Sequence, residues 1–266
     1  MTSDNALGEY LRLRRGQVRP EDVGLMPGPR RRVDGLRREE LAALAGISAD
    51  YYLRIEQGRT THPSAQILDA LARALRLDAT AIAHLHELAR DNRPVYTGSE
   101  LVSDDILTLI DQINLPAFVA GRCLDCLASN ALARALSPNF APGHNLLRQL
   151  FLDPGERQLH LDWDESTAGV VAGLRQTAGG QSADPRMAPL VDELCAASDR
   201  FRTLWTRADV GYRAAGTSHL RHPEVGELHL RRSRFPIPDS EGQHLQLYHP
   251  VPGTNTACKL ASLIDV

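Results

Sequence analysis

The chain has 266 residues, 42% hydrophobic and 24% charged, an ordinary balance for a globular protein with room for two cores. No apolar run approaches the length of a bilayer span, and the opening MTSDNALGEYLRLRR lacks the basic-then-apolar order of a secretory leader, so a cytoplasmic protein is expected. The net charge of −3 conceals a local surplus: within 12–59 eleven arginines face seven acids, whereas residues beyond 93 carry fifteen basic against twenty acidic groups.

The first helix is predicted over 4–15, with Leu7, Tyr10 and Leu11 at helical spacing. A loop broken by Gly and Pro follows, then a second helix over 37–45 with Leu41 and Leu44 inward and small residues, Ala42, Ala43 and Ala45, at a helix crossing. Gly46 suits a positive-φ helix end, and Ser48 suits the cap of a third helix, 49–57, which Gly58 closes. Helices over 64–75 and 78–91 complete an all-α domain, assigned to 1–93. The polar, Pro- and Gly-broken stretch 92–100 is the expected boundary.

The second domain, assigned to 101–266, opens with a helix over 104–113 and two short apolar strands, LPAFVAG and RCLDCLASN. Helical spacing then recurs over 130–136, 145–151, 166–178, 187–196 and 199–206. GTSHLRH, GELHLRRSRF and QHLQLYHP read as three antiparallel strands, and a helix over 254–264 ends the chain. Two strands, a helical insert and three more strands predict an α+β domain on a five-stranded antiparallel sheet.

Within LRREELAALAGISADYYLRIEQG (36–58), a capped helix behind a tight turn has the layout of a helix-turn-helix, its third helix free to enter the major groove of double-stranded DNA. Tyr52 and Ile55 face inward on that helix, while Ala49, Asp50, Tyr51 and Arg54 take the other side and Ser48 caps it. Arg54 is the leading candidate for a base-edge or phosphate contact, with Arg59 just past the helix. Arg37 and Arg38 suit phosphate clamping, and Arg30, Arg31 and Arg32 a neighbouring backbone or minor groove.

GPRRRVDGLRREELAALAGISADYYLRIEQGR resembles the lambda-repressor-like helix-turn-helix of the xenobiotic-response-element (XRE) family, and more closely the MmyB-like regulators. The resemblance implies a structural pair between Arg15 and Glu56. It departs where helix two often opens with Gln, since this chain has Arg38, which keeps a phosphate-contacting role open. LPAFVAGRCLDCLASNALARAL, NLLRQLFLDP, FRTLWTRADV and RHPEVGELHL resemble the MmyB-like ligand-binding domain, a PAS-like fold. What this implies is a pocket between sheet and helices for a hydrophobic small molecule, with fatty acid the associated chemotype. A strand that commonly ends in Trp-Asn ends here in Ser129-Asn130, a change that reshapes the expected cavity.

The expected pocket residues are Phe118, Leu127, Leu147, Phe151, Leu204 and Trp205, with Arg122, Arg148 and Arg202 as candidate partners for a carboxylate. Cys123 and Cys126 form a C-x-x-C on predicted strand, poorly placed for redox chemistry, and no His or Cys set has metal-ligand spacing. Neither a nucleophile elbow nor a phosphate-cradling glycine loop is present, so a non-enzymatic protein without a cofactor is expected. One short recognition helix reads few base pairs, which favours a homodimer on a palindromic operator. The alternative is a DNA-binding protein whose second domain is an interaction module without ligand.

Overall fold

The computed structural model describes residues 5–26, 34–60, 62–89, 100–180, 184–209, 215–240 and 242–263. They divide into two compact units. The first comprises the described residues of Met1–Val95, Val171–Ala183 and Arg202–Tyr212; the second those of Tyr96–Val170, Asp184–Phe201 and Arg213–Val266.

The first unit is built on α1 (Ala6–Gln17), α2 (Arg38–Leu44), α3 (Ala49–Glu56), α4 (Ala65–Ala74) and α5 (Ala79–Leu88). Its core gathers Tyr10 and Leu11 of α1, Leu41 and Ala42 of α2, Tyr52 and Ile55 of α3, and Leu71 and Leu85 of α4 and α5. Leu44 does not face inward as the spacing predicts; it is 38% exposed. On this short helix Leu41, Ala42 and Ala45 define the buried stripe, and at about 100° per residue Leu44 falls beside it. Ala43, also expected at the helix crossing, is exposed as well.

Two stretches from the second half of the sequence complete this unit. Ala208 is fully buried in the same core. The Gln17 amide donates to the carbonyl oxygen of Thr206 at 3.4 Å and to that of Arg207. Arg14 stands 3.7 Å from Asp209.

The second unit is a single antiparallel sheet of β1 (Ala117–Ala120), β2 (Cys126–Ser129), β3 (Ala215–His222), β4 (Gly226–Pro236) and β5 (His244–Pro250), in the order β2-β1-β5-β4-β3. The expected five strands are all present, joined through β1 and β5 at the centre. Side chains alternate between two layers. On one face Ala117, Val119, Ala128 and Leu245 pack under α6 (Asp104–Gln112) through Ile110. On the other, Phe118, Leu228, Leu230 and Tyr248 meet α7 (Ala131–Leu136), α9 (Pro154–Leu159) and α13 (Thr256–Ser262). α8 (Leu146–Leu152) and α11 (Met187–Ala197) belong to this unit as well, and so do α10 (Trp163–Gly180) as far as Val170 and α12 (Asp199–Thr206) as far as Phe201.

Asn130, the second residue of the Ser129-Asn130 pair, knots the sheet to both helical layers. Its Oδ1 accepts from the backbone N–H of Ala117 (3.1 Å) and Ala133 (2.9 Å), and its Nδ2 donates to the carbonyl oxygens of Ile110, Ile113 and Leu115. A buried asparagine with its amide saturated in this way is held by geometry that an apolar residue does not reproduce.

Candidate nucleic-acid interface and ligand cavity

The turn before α3 forms as its residue types require. Gly46 adopts φ +69°, open to glycine without steric cost, and Ser48 Oγ accepts from the Tyr51 backbone N–H at 3.1 Å. Tyr52, Ile55 and Glu56 are buried, and Asp50 and Arg54 are exposed, so the helix presents a polar edge outward. Along that edge Arg54 Nε lies 3.6 Å from Asp50, and its guanidinium stands 5.6 Å from the Tyr51 ring centroid. Ala49 and Tyr51 are half-buried; Ser48 and Arg59 are exposed.

Glu56 closes α3 from within. Arg15 Nη2 donates to its carboxylate at 3.0 Å, the pair the resemblance implies. Arg38 also donates to it, Nε and Nη2 each at 3.1 Å, so the residue considered for phosphate has a protein partner. Burial pulls the Glu56 carboxyl upward, but the guanidinium groups of Arg38 and Arg15 outweigh it and hold the group below its ordinary value. Arg37, exposed, opens α2 with its backbone N–H on Glu40 at 2.6 Å. Arg30, Arg31 and Arg32 lie outside the described residues.

In the second unit a cavity of about 100 Å³ opens between the sheet and the helices. Its helical and loop walls mix apolar Leu124, Phe140, Leu146, Leu150 and Val170 with polar Asn139, Gln149, Glu156, His160 and Ser166. Its sheet wall carries Phe118, Arg232, His244, Gln246 and Tyr248. Phe118, Phe140 and Tyr248 form one ring cluster, with centroids 4.7, 5.8 and 6.3 Å apart. Leu124 reaches the wall from the β1–β2 turn at φ +61°, a conformation that costs an L-residue about 1 kcal/mol or more.

A buried charge cluster forms one end. Glu156 accepts from Ser137 Oγ (2.8 Å) and Asn139 Nδ2 (2.9 Å), and its Oε1 lies 3.2 Å from His160 Nε2. Asp162 stands 3.8 Å from the other ring nitrogen. Burial lowers the affinity of His160 for a proton, yet Asp162 and Glu156 outweigh it and leave the imidazole above its ordinary value. His244 goes the other way: burial, with the Arg234 cation beside it, pushes it down to about 3, so it stays neutral.

Of the residues expected in the pocket, Phe118 lines this cavity. Leu127 lies on the α6 face of the sheet. Leu147 is fully buried away from these walls, and Phe151 packs edge-on against Phe201 at 5.0 Å. Leu204 and Trp205 belong to the first unit, where the Arg175 guanidinium lies 4.0 Å from the Trp205 ring centroid. The arginines considered for a carboxylate are placed elsewhere. Arg122 is bound to Asp184 (3.1 Å), Arg148 to Glu193 (2.7 Å), and Arg202 is exposed in the first unit. Sequence reading missed Arg232 and Gln246, although the period-2 pattern of their strands was its signal. Cys123 and Cys126 are both buried, and burial pushes both thiols up to about 12. Among the described residues no group of His, Cys, Asp or Glu is arranged to hold a metal ion, and no helix is long and apolar enough to cross a membrane.

Two family models match the chain. The MmyB-like transcription regulator ligand binding domain covers residues 102–263, and a helix-turn-helix domain covers residues 6–85. A comparison with curated proteins finds no match. Among solved structures, the "Structure of an RNA-binding Light-Oxygen-Voltage Receptor" is 10% identical, over 86% of this chain and 57% of that one, with a TM-score of 0.25. A likeness that low carries no argument.

Proposed function

The chain belongs to the MmyB-like transcription regulators, and we propose that it reads a specific operator in double-stranded DNA as a homodimer under the control of a hydrophobic small molecule, with fatty acid the leading chemotype. One observation carries the reading: a helix whose polar edge is exposed shares a chain with a cavity lined by Leu, Val and aromatic side chains among polar ones.

Ser48, Ala49, Asp50, Tyr51 and Arg54 form the proposed reading edge, with Arg30, Arg31, Arg32, Arg37, Arg38 and Arg59 supplying phosphate contacts. A second copy supplies the second half-site that a single short helix lacks. The ligand body lies against Phe118, Phe140 and Leu150 and acts by binding one conformation of the protein more tightly than another, since only differential affinity shifts such an equilibrium. The proposed place of action is the cytoplasm, where the DNA is. Native mass spectrometry of gently purified protein, paired with gel-shift titration on genomic fragments, tests the reading. A co-purifying small molecule whose removal changes operator affinity is expected. Protein that is free of ligand and binds no fragment in preference to random DNA overturns it.

A further inference from the structure

α6 covers only part of the sheet face on which it lies. It rests through Ile110 on Ala117, Val119, Ala128 and Leu245, at the β1–β2 side of the sheet. Farther across the same face the register sets Thr217 of β3 beside Arg231 of β4 and His249 of β5, and His219 opposite His229. Thr217, His219 and Arg231 are exposed, and His229 and His249 are half-buried, so this half of the face is open to solvent. Phe235, the register partner of Leu245 on the same face, is 50% exposed.

The open half is basic and the helix beside it is acidic. Arg221 and Glu227, at one end of the open half, neutralise each other at 3.2 Å. Arg231 is in no ion pair among the described residues, and the histidines around it bring no negative charge. α6 carries Asp104, Asp105 and Asp111 and no base; all three acids are exposed, and none is in an ion pair among the described residues. Asp104, Leu107 and Asp111 stand at i, i+3 and i+7, which makes them one stripe, turned off the buried Ile110. Leu107, at its centre, is 38% exposed. A partner that fits the open half needs an acidic helix with an apolar centre, and one that fits the helix needs a basic strand face. A second copy of the chain supplies both, and a two-fold axis makes the same contact twice.

We propose that the open β3–β4 half of the sheet is the homodimer interface, covered by α6 of a second copy, with Asp104 and Asp111 of one chain set against Arg231 of the other. This rests on the homodimer reading above and names the surface that the reading leaves open. Each sheet face then has its β1–β2 side closed by its own α6 and its β3–β4 side closed by the second α6. Leu107 and Phe235 lose water in the contact, and Arg231 gains the carboxylate partner it lacks within its own chain. The acidic stripe also disfavours a polyanion at this face, so DNA is left to the first unit.

Sedimentation equilibrium of the full-length protein, at low and high salt, tests this. The wild type is expected to dimerise, and more weakly as salt rises. Arg231→Glu should weaken the dimer tenfold or more, and so should Asp104→Arg combined with Asp111→Arg. The three changes together exchange the charges across the contact and should recover the dimer to within threefold of the wild type. Phe235→Ser should weaken it tenfold or more at both salt concentrations. These positions are exposed, and far-ultraviolet circular dichroism matching the wild type separates a lost contact from a lost fold. A wild-type dimer that none of these variants weakens, or that the charge exchange fails to restore, overturns this interface and leaves the homodimer to another surface. A wild type that stays monomeric throughout takes the homodimer reading down with it.

Discussion

Arg15 Nη2 and the Glu56 carboxylate meet at 3.0 Å inside the first unit, tying the first helix to the last residue of the recognition helix. The Arg15 Nη1 also donates to the Leu36 carbonyl oxygen at 2.7 Å, so one side chain holds the entrance to α2 and the exit of α3. Removing one partner of a buried pair strands the other, at a cost of about 3 kcal/mol. Arg38 remains on Glu56 when Arg15 is cut, which keeps Arg15→Ala at or below that figure. The pH dependence follows from the sign of the shift. Glu56 is depressed in the folded state, so its contribution is present above its ordinary value of 4.5 and is lost as pH falls through the folded value. Thermal unfolding followed by circular dichroism should therefore show Glu56→Gln less stable at pH 7 and less sensitive to acid than the wild type. Parallel acid limbs would refute it.

Arg54 sits on the exposed edge of α3, with Asp50 and the Tyr51 ring as its neighbours. Neither neighbour buries it, so it is free to turn toward a base edge. Arg54→Ala is expected to weaken specific operator binding by about 1–3 kcal/mol. Alanine at 30, 31 and 32 together should weaken all sequences alike and reduce the salt slope by about 0.9 for each phosphate no longer neutralised. Gel shifts across a salt series separate the two, and an unchanged operator affinity in Arg54→Ala removes that residue from the reading edge.

The recognition helix was legible because its signals are local: Gly46, Ser48 and Gly58 each act within four residues. Leu44 was not, since on a seven-residue helix the position of the buried stripe is set by what packs on it. The helix Pro154–Leu159 is hidden in the sequence because its proline reads as a breaker, although proline at the first helical position is favoured. The strands are legible in the sequence and their faces are not. A shift of one residue exchanges the two faces, and the polar inward row of Arg232, Gln246 and Tyr248 resembles a solvated edge until α8 and α10 are seen to cover it. Leu204, Trp205 and Ala208 carry no sequence mark of joining the first unit; only pairings across nearly two hundred positions, such as Gln17 with Arg207, place them there.

Thiol chemistry gives a direct check on burial. Cys123 and Cys126 are 2% and 1% exposed, with both thiols pushed up to about 12, so neither access nor thiolate favours reaction. Cys258 is exposed. Iodoacetamide at neutral pH should label Cys258 in the native protein and reach Cys123 and Cys126 only after denaturation. Native labelling of the C-x-x-C pair at the rate of Cys258 would restore a reactive role.

His160 makes the second unit pH-sensitive in the opposite sense to Glu56. His160 is raised above 6.5 in the folded state, so its contribution is full below 6.5 and fades as pH rises through the folded value. Glu156 and Asp162 are depressed, and theirs fades in acid, below about 4.5. Stability from this cluster should peak between those limits. Tryptophan fluorescence melts, with Trp163 beside the cluster in sequence, should show the wild type losing stability above pH 6.5. His160→Gln should be less stable near pH 6 and flat above it; a variant that keeps the alkaline decline shows that another group sets it.

Gly8 and Gly46 both serve the recognition helix, and their substitutions should separate two costs. At Gly46 a Cβ meets nothing within 4 Å, so Gly46→Ala incurs only the left-handed backbone, about 1 kcal/mol. At Gly8 a Cβ would stand 2.3 Å from the Glu56 carbonyl oxygen and from Asn5 Oδ1. Asn5 can swing away, but the carbonyl belongs to the end of α3 and also accepts from Asn5 Nδ2 at 2.9 Å. Helix one must therefore move off helix three, straining the Arg15–Glu56 pair as well as the packing, and Gly8→Ala should cost about 3 kcal/mol. Denaturant melts give the two stabilities. Near-equal losses would mean that α1 does not rest on the end of α3 as closely as the approach of Gly8 to Glu56 requires.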